Sequence, residues 1–272
     1  MRSRRLIGAV GLTLVLATAA SAQQPPKIAD NSLLLEEAYN QEAGVVQHIS
    51  LFGWSRRSRD WTYAFTQEWP YKGQRHQLSY QVALAGAAGA GGSVGLGDVQ
   101  LNYRYQLAGG EGTRTWVAPR FSVSLPTGSE PSGHGSGALG FSVAIPVSVE
   151  LTPEFTVHFN LGGSAVPATK HRLPGVTTAS ATAGASAIWA VDPRINLMVE
   201  SLWSRSREVT LPGQGRWSSH AIVNPAVRWS FNYPSGLQIV PAIGYAIDLT
   251  DHGDGNQLLL YLSFEHSFGR RP

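Results

Sequence analysis

The sequence predicts an all-β protein, an antiparallel transmembrane β-barrel of about twelve strands with short periplasmic turns and longer outer loops. Three observations carry that prediction. Apolar and polar residues alternate with period two in segments of about ten residues, the length a tilted strand needs to cross a bilayer. The connections between segments are short and long by turns. The N-terminus carries an export signal.

The alternation is clearest in GLGDVQLNYRYQL, residues 95–107. Val99, Leu101, Tyr103, Tyr105 and Leu107 share one face, and Asp98, Gln100, Asn102, Arg104 and Gln106 share the other. The tyrosine-bearing face suits lipid and the amide-rich face suits a barrel interior, because only a closed barrel satisfies strand backbones in hydrocarbon. Comparable segments run at 44–54, 60–69, 75–84, 97–107, 114–125, 138–151, 154–165, 177–190, 194–204, 217–231, 236–249 and 257–268. Trp61, Tyr63, Phe65 and Trp69 oppose Thr62, Ala64, Thr66 and Glu68; Phe155, Val157, Phe159 and Leu161 oppose Thr156, His158 and Asn160. Segment 44–54 fits either register, and 177–190 is mostly Ala, Thr, Gly and Ser.

Every other connection is a tight turn: 70–73, 108–113, 152–153, 192–193 and 232–236. Those between them, 85–96, 126–137, 166–176, 205–216 and 250–256, are longer and rich in Gly, Ser and charge; Ser55 to Arg59 is the one short outer connection. An even strand count with both termini inside requires this arrangement. Pro119, Pro146, Pro225 and Pro241 fall inside strands and mark bulges or kinks, since proline donates nothing to a ladder.

Arg2, Arg4 and Arg5, an apolar run from Leu6 to Leu16 and Ala20-Ser21-Ala22 form a secretory signal peptide, residues 1–22. The apolar run is too short for a membrane anchor. The mature chain is expected to start near Gln23, with an N-terminal segment at 23–43, the barrel at 44–268 and a tail at 269–272. The three signal arginines account for the formal charge of +3, so the basic balance does not indicate nucleic acid or anionic lipid. Charged residues make up 14%, few for a soluble domain, and cysteine is absent. The final strand ends in Phe268, with Leu258, Leu260, Leu262 and Phe264 on the same face. It resembles the closing strand recognised by the bacterial outer-membrane assembly machinery, although Gly269 to Pro272 follow it.

Several stretches resemble a family of Gram-negative outer-membrane transporters of the MetA-pathway of phenol degradation type. They are Ile28–Ser32, Glu36–Glu42, Gly44–Ile49, Phe65–Pro70, Gly73–Tyr80 and residues 95–107. The resemblance implies a barrel with a transport role, for aromatic or other poorly soluble compounds, and brings no catalytic motif.

The expected interior holds Glu68, Arg75, Asp98, Arg104, Arg120, Glu150, His158, Arg194, Glu200, Arg228, Asp248 and Glu265. Two roles are open for them: a charged lining that selects solutes, or a salt-bridged filling. Two placements are open for Ile28 to Glu42. It is a plug inside the lumen, with Glu36, Glu37 and Glu42 facing Arg75, Arg104 or Arg120, or a periplasmic cap or docking helix. The one close Ser–His pair, His134 and Ser136, lies in a Gly-rich loop without a rigid orienter, which argues against a lipid hydrolase. Asp248, Asp251, His252 and Asp254 match no cation-loop spacing. Trp54, Trp61, Trp69, Tyr71, Trp203, Trp217, Trp229 and Tyr233 sit near strand ends, as interfacial girdles do. The sequence thus points to a channel or transporter for small molecules, with an occluded structural or adhesive barrel as the alternative and an envelope lipid hydrolase a distant third. It calls for no enzyme activity, cofactor, metal or nucleic acid. The expected partners are outer-membrane lipids, lipopolysaccharide, the assembly machinery and a small-molecule solute.

Overall fold

A computed structural model describes residues 31–87, 92–110, 112–129, 132–167, 176–211, 213–250 and 255–268. The signal peptide, the mature start, residues Asp251, His252 and Asp254, and the C-terminal tail lie outside the described residues. Twelve strands close into one antiparallel barrel. They are β1 (Val45–Ser55), β2 (Trp61–Pro70), β3 (His76–Gly86), β4 (Val94–Leu96 and Val99–Tyr105), β5 (Thr115–Val117 and Arg120–Leu125) and β6 (Gly140–Thr152). They continue as β7 (Phe155–Val166), β8 (Thr178–Asp192), β9 (Ile195–Leu211), β10 (Gln214–Trp229, continued by Phe231–Asn232), β11 (Gln238–Asp248) and β12 (Gln257–Ser267). Each strand pairs with its chain neighbour, and β12 pairs with β1 from Val45↔Ser267 to Ser55↔Gln257. Closure leaves no edge strand, as hydrocarbon demands.

The faces follow the alternation. Leu101 is 47% exposed on the outer surface, whereas Asn102 and Arg104 beside it are buried inside. Phe141, Val143, Ile145, Phe159, Leu161, Leu197, Val199, Leu260 and Leu262 likewise face out. In β1 the register that the pattern left open is settled: Gln47, Ile49 and Leu51 point inward and His48 and Phe52 outward. Both faces of β1 carry apolar groups because its inner face meets apolar groups in the lumen.

The prolines sit at breaks in the ladders. Pro119 splits β5. The β10–β11 ladder skips Asn224 and Pro225, resuming at Ala226↔Gly244, and it breaks again after Arg228↔Ala242, before Pro241, to resume at Phe231↔Ile239. A proline has no N–H to offer there. Outside, over the Pro225 break, lies an apolar groove lined by Leu197, Val227, Ile243, Tyr245 and Leu258, with Met198 behind it.

One expectation fails. Residues 205–216, expected as a loop, continue β9 and β10 as a hairpin paired as far as Leu211↔Gln214. Their cross-strand partners are polar: Ser206 and Ser218 hydroxyls lie 3.4 Å apart, and the Arg205 guanidinium stands 5.5 Å over the Trp217 ring. Gly213 reverses the chain at φ +74. Beyond the bilayer a strand needs no apolar face, so alternation did not reveal it.

The lipid-facing assignment is testable. Leu101→Arg is expected to cost about 2–4 kcal/mol in denaturant unfolding from vesicles, the range for a charge on the lipid face. Gln100→Arg, on the inner face of the same strand, is expected to cost under about 1 kcal/mol. Equal losses would contradict the assignment.

Candidate functional site

The barrel is not empty. Residues 31–41 pair with no strand and are largely buried inside it. The segment is a loop whose two ends lie near the short-turn end, with a bend at Leu33-Leu34-Leu35 deeper in. At one end Arg228 Nη1 donates to the Asn31 carbonyl, and Asn196, with its amide oxygen toward Arg228, accepts from Nη2 at 2.9 Å. The Ser32 and Ser186 hydroxyls lie 2.9 Å apart. At the bend, Glu200 accepts from the backbone N–H of Leu33 at 3.0 Å and of Leu34 at 2.9 Å, and from Asn224 Nδ2 at 2.6 Å. A carboxylate with three donors is a strong anchor for a short stretch of exposed backbone. Leu33 also joins an inner apolar cluster of Ile188, Met198, Ala242, Ala246, Leu259 and Tyr261, with Leu34, Ile49 and Leu51 packed against it. A Cβ on Gly184 would come within 2.5 Å of Leu35, so the wall is cut to admit the bend.

The returning limb is polar. The Glu36 N–H donates to Asn160 Oδ1 at 2.9 Å, and Asn160 Nδ2 donates to the Glu36 carbonyl at 2.7 Å. The Ala38 N–H donates to Ser148 Oγ at 2.8 Å, and Ser148 in turn lies 2.7 Å from His158 Nδ1. Tyr39 meets Trp116 edge to face with centroids 5.0 Å apart. The Gln41 N–H donates to Gln77 Oε1 at 2.7 Å. A charge cluster sits at the centre. Arg104 donates to Asn40 Oδ1 and to the carbonyls of Glu37 and Tyr39, and its guanidinium stands 3.6 Å from Glu37 and 3.8 Å from Glu68. Gln77 Nε2 donates to Glu68 at 2.8 Å. Arg120 binds Glu36 at 2.7 Å. Three carboxylates thus converge on two guanidiniums, which is tolerable away from bulk water only because each is paired and hydrogen-bonded.

Space remains on either side of the segment. A cavity of about 430 Å³ at the short-turn mouth is lined by Glu37, Glu42, Gln74, Gln238 and Glu265. A second, of about 290 Å³, runs between the segment and Ile49, Thr66, Gln81, Arg104 and Tyr261. Towards the long-loop end two more, of about 350 and 240 Å³, share Leu34; the larger is lined by Leu51, Ala83, Leu84, His134 and Leu259. Gly133 and His134, of the outer connection after β5, reach into it. Asp98 accepts from the N–H of Gly128 and of Ser136, each at 2.9 Å, and from the Ser136 hydroxyl.

Of the expected interior residues, Glu68, Arg104, Arg120, His158, Glu200 and Arg228 surround the segment. Three findings amend the expectation. Arg75 is exposed in the turn before β3, and Arg194 is exposed after Pro193, 3.8 Å from Asp192; counting parity past the strand ends carried both inward wrongly. Asp98 pins a loop. Glu150 is half-buried at the bulge that ends β6, and Asp248 accepts from the Thr250 N–H and hydroxyl, each at 2.7 Å. Glu36 and Glu37 meet arginines, whereas Glu42 is exposed at the mouth. The Ser136 hydroxyl is given to Asp98, and His134 Nε2 lies 2.9 Å from Ser93 Oγ, so the candidate Ser–His pair is not assembled. Sequence reasoning missed Asn160, Ser148, Ser186, Asn224 and Gln77 as docking groups; their one signal was an uncharged polar residue on the inner face.

No protein-family model matches the chain, and no curated protein does. Solved structures do. The COG4313 outer membrane channel from Pseudomonas putida F1 aligns with TM-score 0.59 and 12% identity over 85% of this chain and 98% of that one. The NanC porin aligns with TM-score 0.53 and 8% identity over 82% and 100%, and the KdgM porin with 0.50 and 9% over 83% and 99%. This is the fold of outer-membrane channels and porins.

The cluster predicts an asymmetry between its arginines. Arg104→Met strands Glu37 and Glu68 and is expected to cost about 3–5 kcal/mol in urea unfolding. Arg120→Met, removing a guanidinium that is 25% exposed, is expected to cost about 1 kcal/mol or less. Similar losses would show that the Arg104 network is not a structural centre.

Proposed function

We propose that the protein is an outer-membrane channel for small molecules, with residues 31–41 as a removable plug. The observation that carries this reading is that side-chain contacts alone hold the segment inside a closed barrel. It contributes nothing to the β-ladder, so it can leave without breaking the wall. The solutes are aromatic or other poorly soluble compounds, a class supported by the apolar lining that Leu34, Leu51, Ala83 and Leu259 give the outer cavity. The likeness to the phenol-degradation transporters agrees. No catalytic chemistry is required. The chain is exported by its signal peptide and inserted by the barrel assembly machinery of a Gram-negative bacterium.

The buried Arg104 network favours a second reading, a structural barrel whose lumen stays closed. The broken ladder at Pro225 and its apolar outer groove favour passage through the wall for apolar solutes if the lumen passes no ions.

Single-channel recording in planar bilayers separates these readings. Removing residues 23–42 is expected to raise conductance several-fold. Glu200→Leu, which releases the two amides at the bend, is expected to give frequent openings in the full-length chain. Silence in both, with folding confirmed by heat-modifiable gel mobility, would overturn the plugged-channel reading.

A further inference from the structure

We propose that Arg104 and Arg120 form a binding site for the carboxylate of the solute, and that Glu36 and Glu37 occupy it in the closed barrel as stand-ins. The proposal rests on the plugged-channel reading and narrows its solute class to aromatic carboxylates, which free the gate by competing for the arginines.

The two arginines are direct cross-strand partners, Arg104 on β4 and Arg120 on β5. Like charges opposite each other in a ladder repel, so the pair is costly without anions beside it. The wall supplies one, Glu68, 3.8 Å from Arg104. The segment supplies two more. Glu37 stands 3.6 Å from Arg104, and Glu36 spans the pair, with Oε1 2.7 Å from Arg120 and Oε2 4.0 Å from Arg104. When the segment leaves, two guanidiniums share one carboxylate, and the wall there becomes a site for an anion.

The two arginines are not held alike. Arg104 is buried and hydrogen-bonded to Asn40 Oδ1 and to two backbone carbonyls. Arg120 and Glu36 are each about a quarter exposed, and a water-screened pair is a weak hold. The Arg120 guanidinium is also half used. Nε and Nη2 form an edge that a carboxylate takes in two parallel hydrogen bonds. Glu36 meets Nη2, while Nε is buried without an acceptor. Two cavities, of about 290 and 240 Å³, both border Glu36 and Arg120. Each is close to the size of a small-molecule site. The smaller shares Leu34 with the apolar cavity at the long-loop end, so a solute there lies beside the weaker arginine. An aromatic ring suits the leucines and its carboxylate suits the free edge of Arg120. Once that edge is taken, Glu36 has lost its partner and faces a like charge.

The test records single channels of the refolded full mature chain in dilute KCl, with benzoate or benzamide added on the long-loop side. The two probes share a shape and differ in charge. Benzoate is expected to raise the open probability at least about fivefold over benzamide, the lower end of ligand-to-gate coupling. Arg120→Gln is expected to abolish that difference. Glu36→Gln leaves the wall intact and is expected to respond at several-fold lower benzoate, because the competing carboxylate is gone. Heat-modifiable gel mobility confirms that each variant is folded. Equal responses to the two probes, a full benzoate response in Arg120→Gln, or an unchanged benzoate requirement in Glu36→Gln would each overturn the proposal. The chain lacking residues 23–42 separates the two failures. If its conductance does not rise, the plugged-channel reading has failed; if it rises while benzoate equals benzamide on the full chain, the carboxylate site alone has failed.

Discussion

A strand in hydrocarbon must give every N–H and C=O to another strand. The rest of this structure depends on that constraint. It closes the wall at the β1–β12 seam, confines proline to ladder breaks and turns half of each strand inward. The inner half then needs partners of its own. Twelve strands enclose more space than their inward side chains fill, and residues 31–41 supply what is missing. Their backbone amides meet Glu200, Asn160, Ser148 and Gln77, and their carbonyls meet Arg228, Asn160 and Arg104.

The division of labour along the segment has a physical logic. Its apolar bend enters the apolar part of the lumen, where Ile49, Leu51, Leu259 and Tyr261 wait; its acidic limb lies among arginines. Apolar contact holds the bend with little directionality, while Glu200 fixes its position through directed hydrogen bonds. Such a segment is both specific in its seat and separable from the wall, which is what a gate requires. The inward loop pinned by Asp98 narrows the opposite end.

Most of the wall was legible in the sequence because hydrocarbon enforces a two-residue period that nothing else on the strand can override. Where lipid stops, legibility stops. The β9–β10 hairpin beyond the bilayer read as a loop, and Arg75 and Arg194, at turns, were counted inward. β1 was ambiguous for a different reason: its inner face packs against Leu33 and Leu34 of an unpaired segment, which follows no period that could reveal the contact. Arg104, Glu68 and Glu36 were legible as charges that need partners, yet which charge meets which depends on the path of an unpaired segment with no periodicity to read. Glu200 could be placed inside by parity, but nothing local showed that its partners are backbone amides some 166 residues away.

The central claim is that residues 31–41 sit in the lumen and gate it. The absence of cysteine permits a direct measurement. Ser32 and Ser186, whose hydroxyls are 2.9 Å apart, can both be replaced by cysteine and the single-channel current recorded before and after a reductant. The account predicts a disulfide that forms in the folded protein, suppresses openings when oxidised and restores them on reduction. A pair that never cross-links, or a cross-linked protein that opens as the reduced one does, would contradict it.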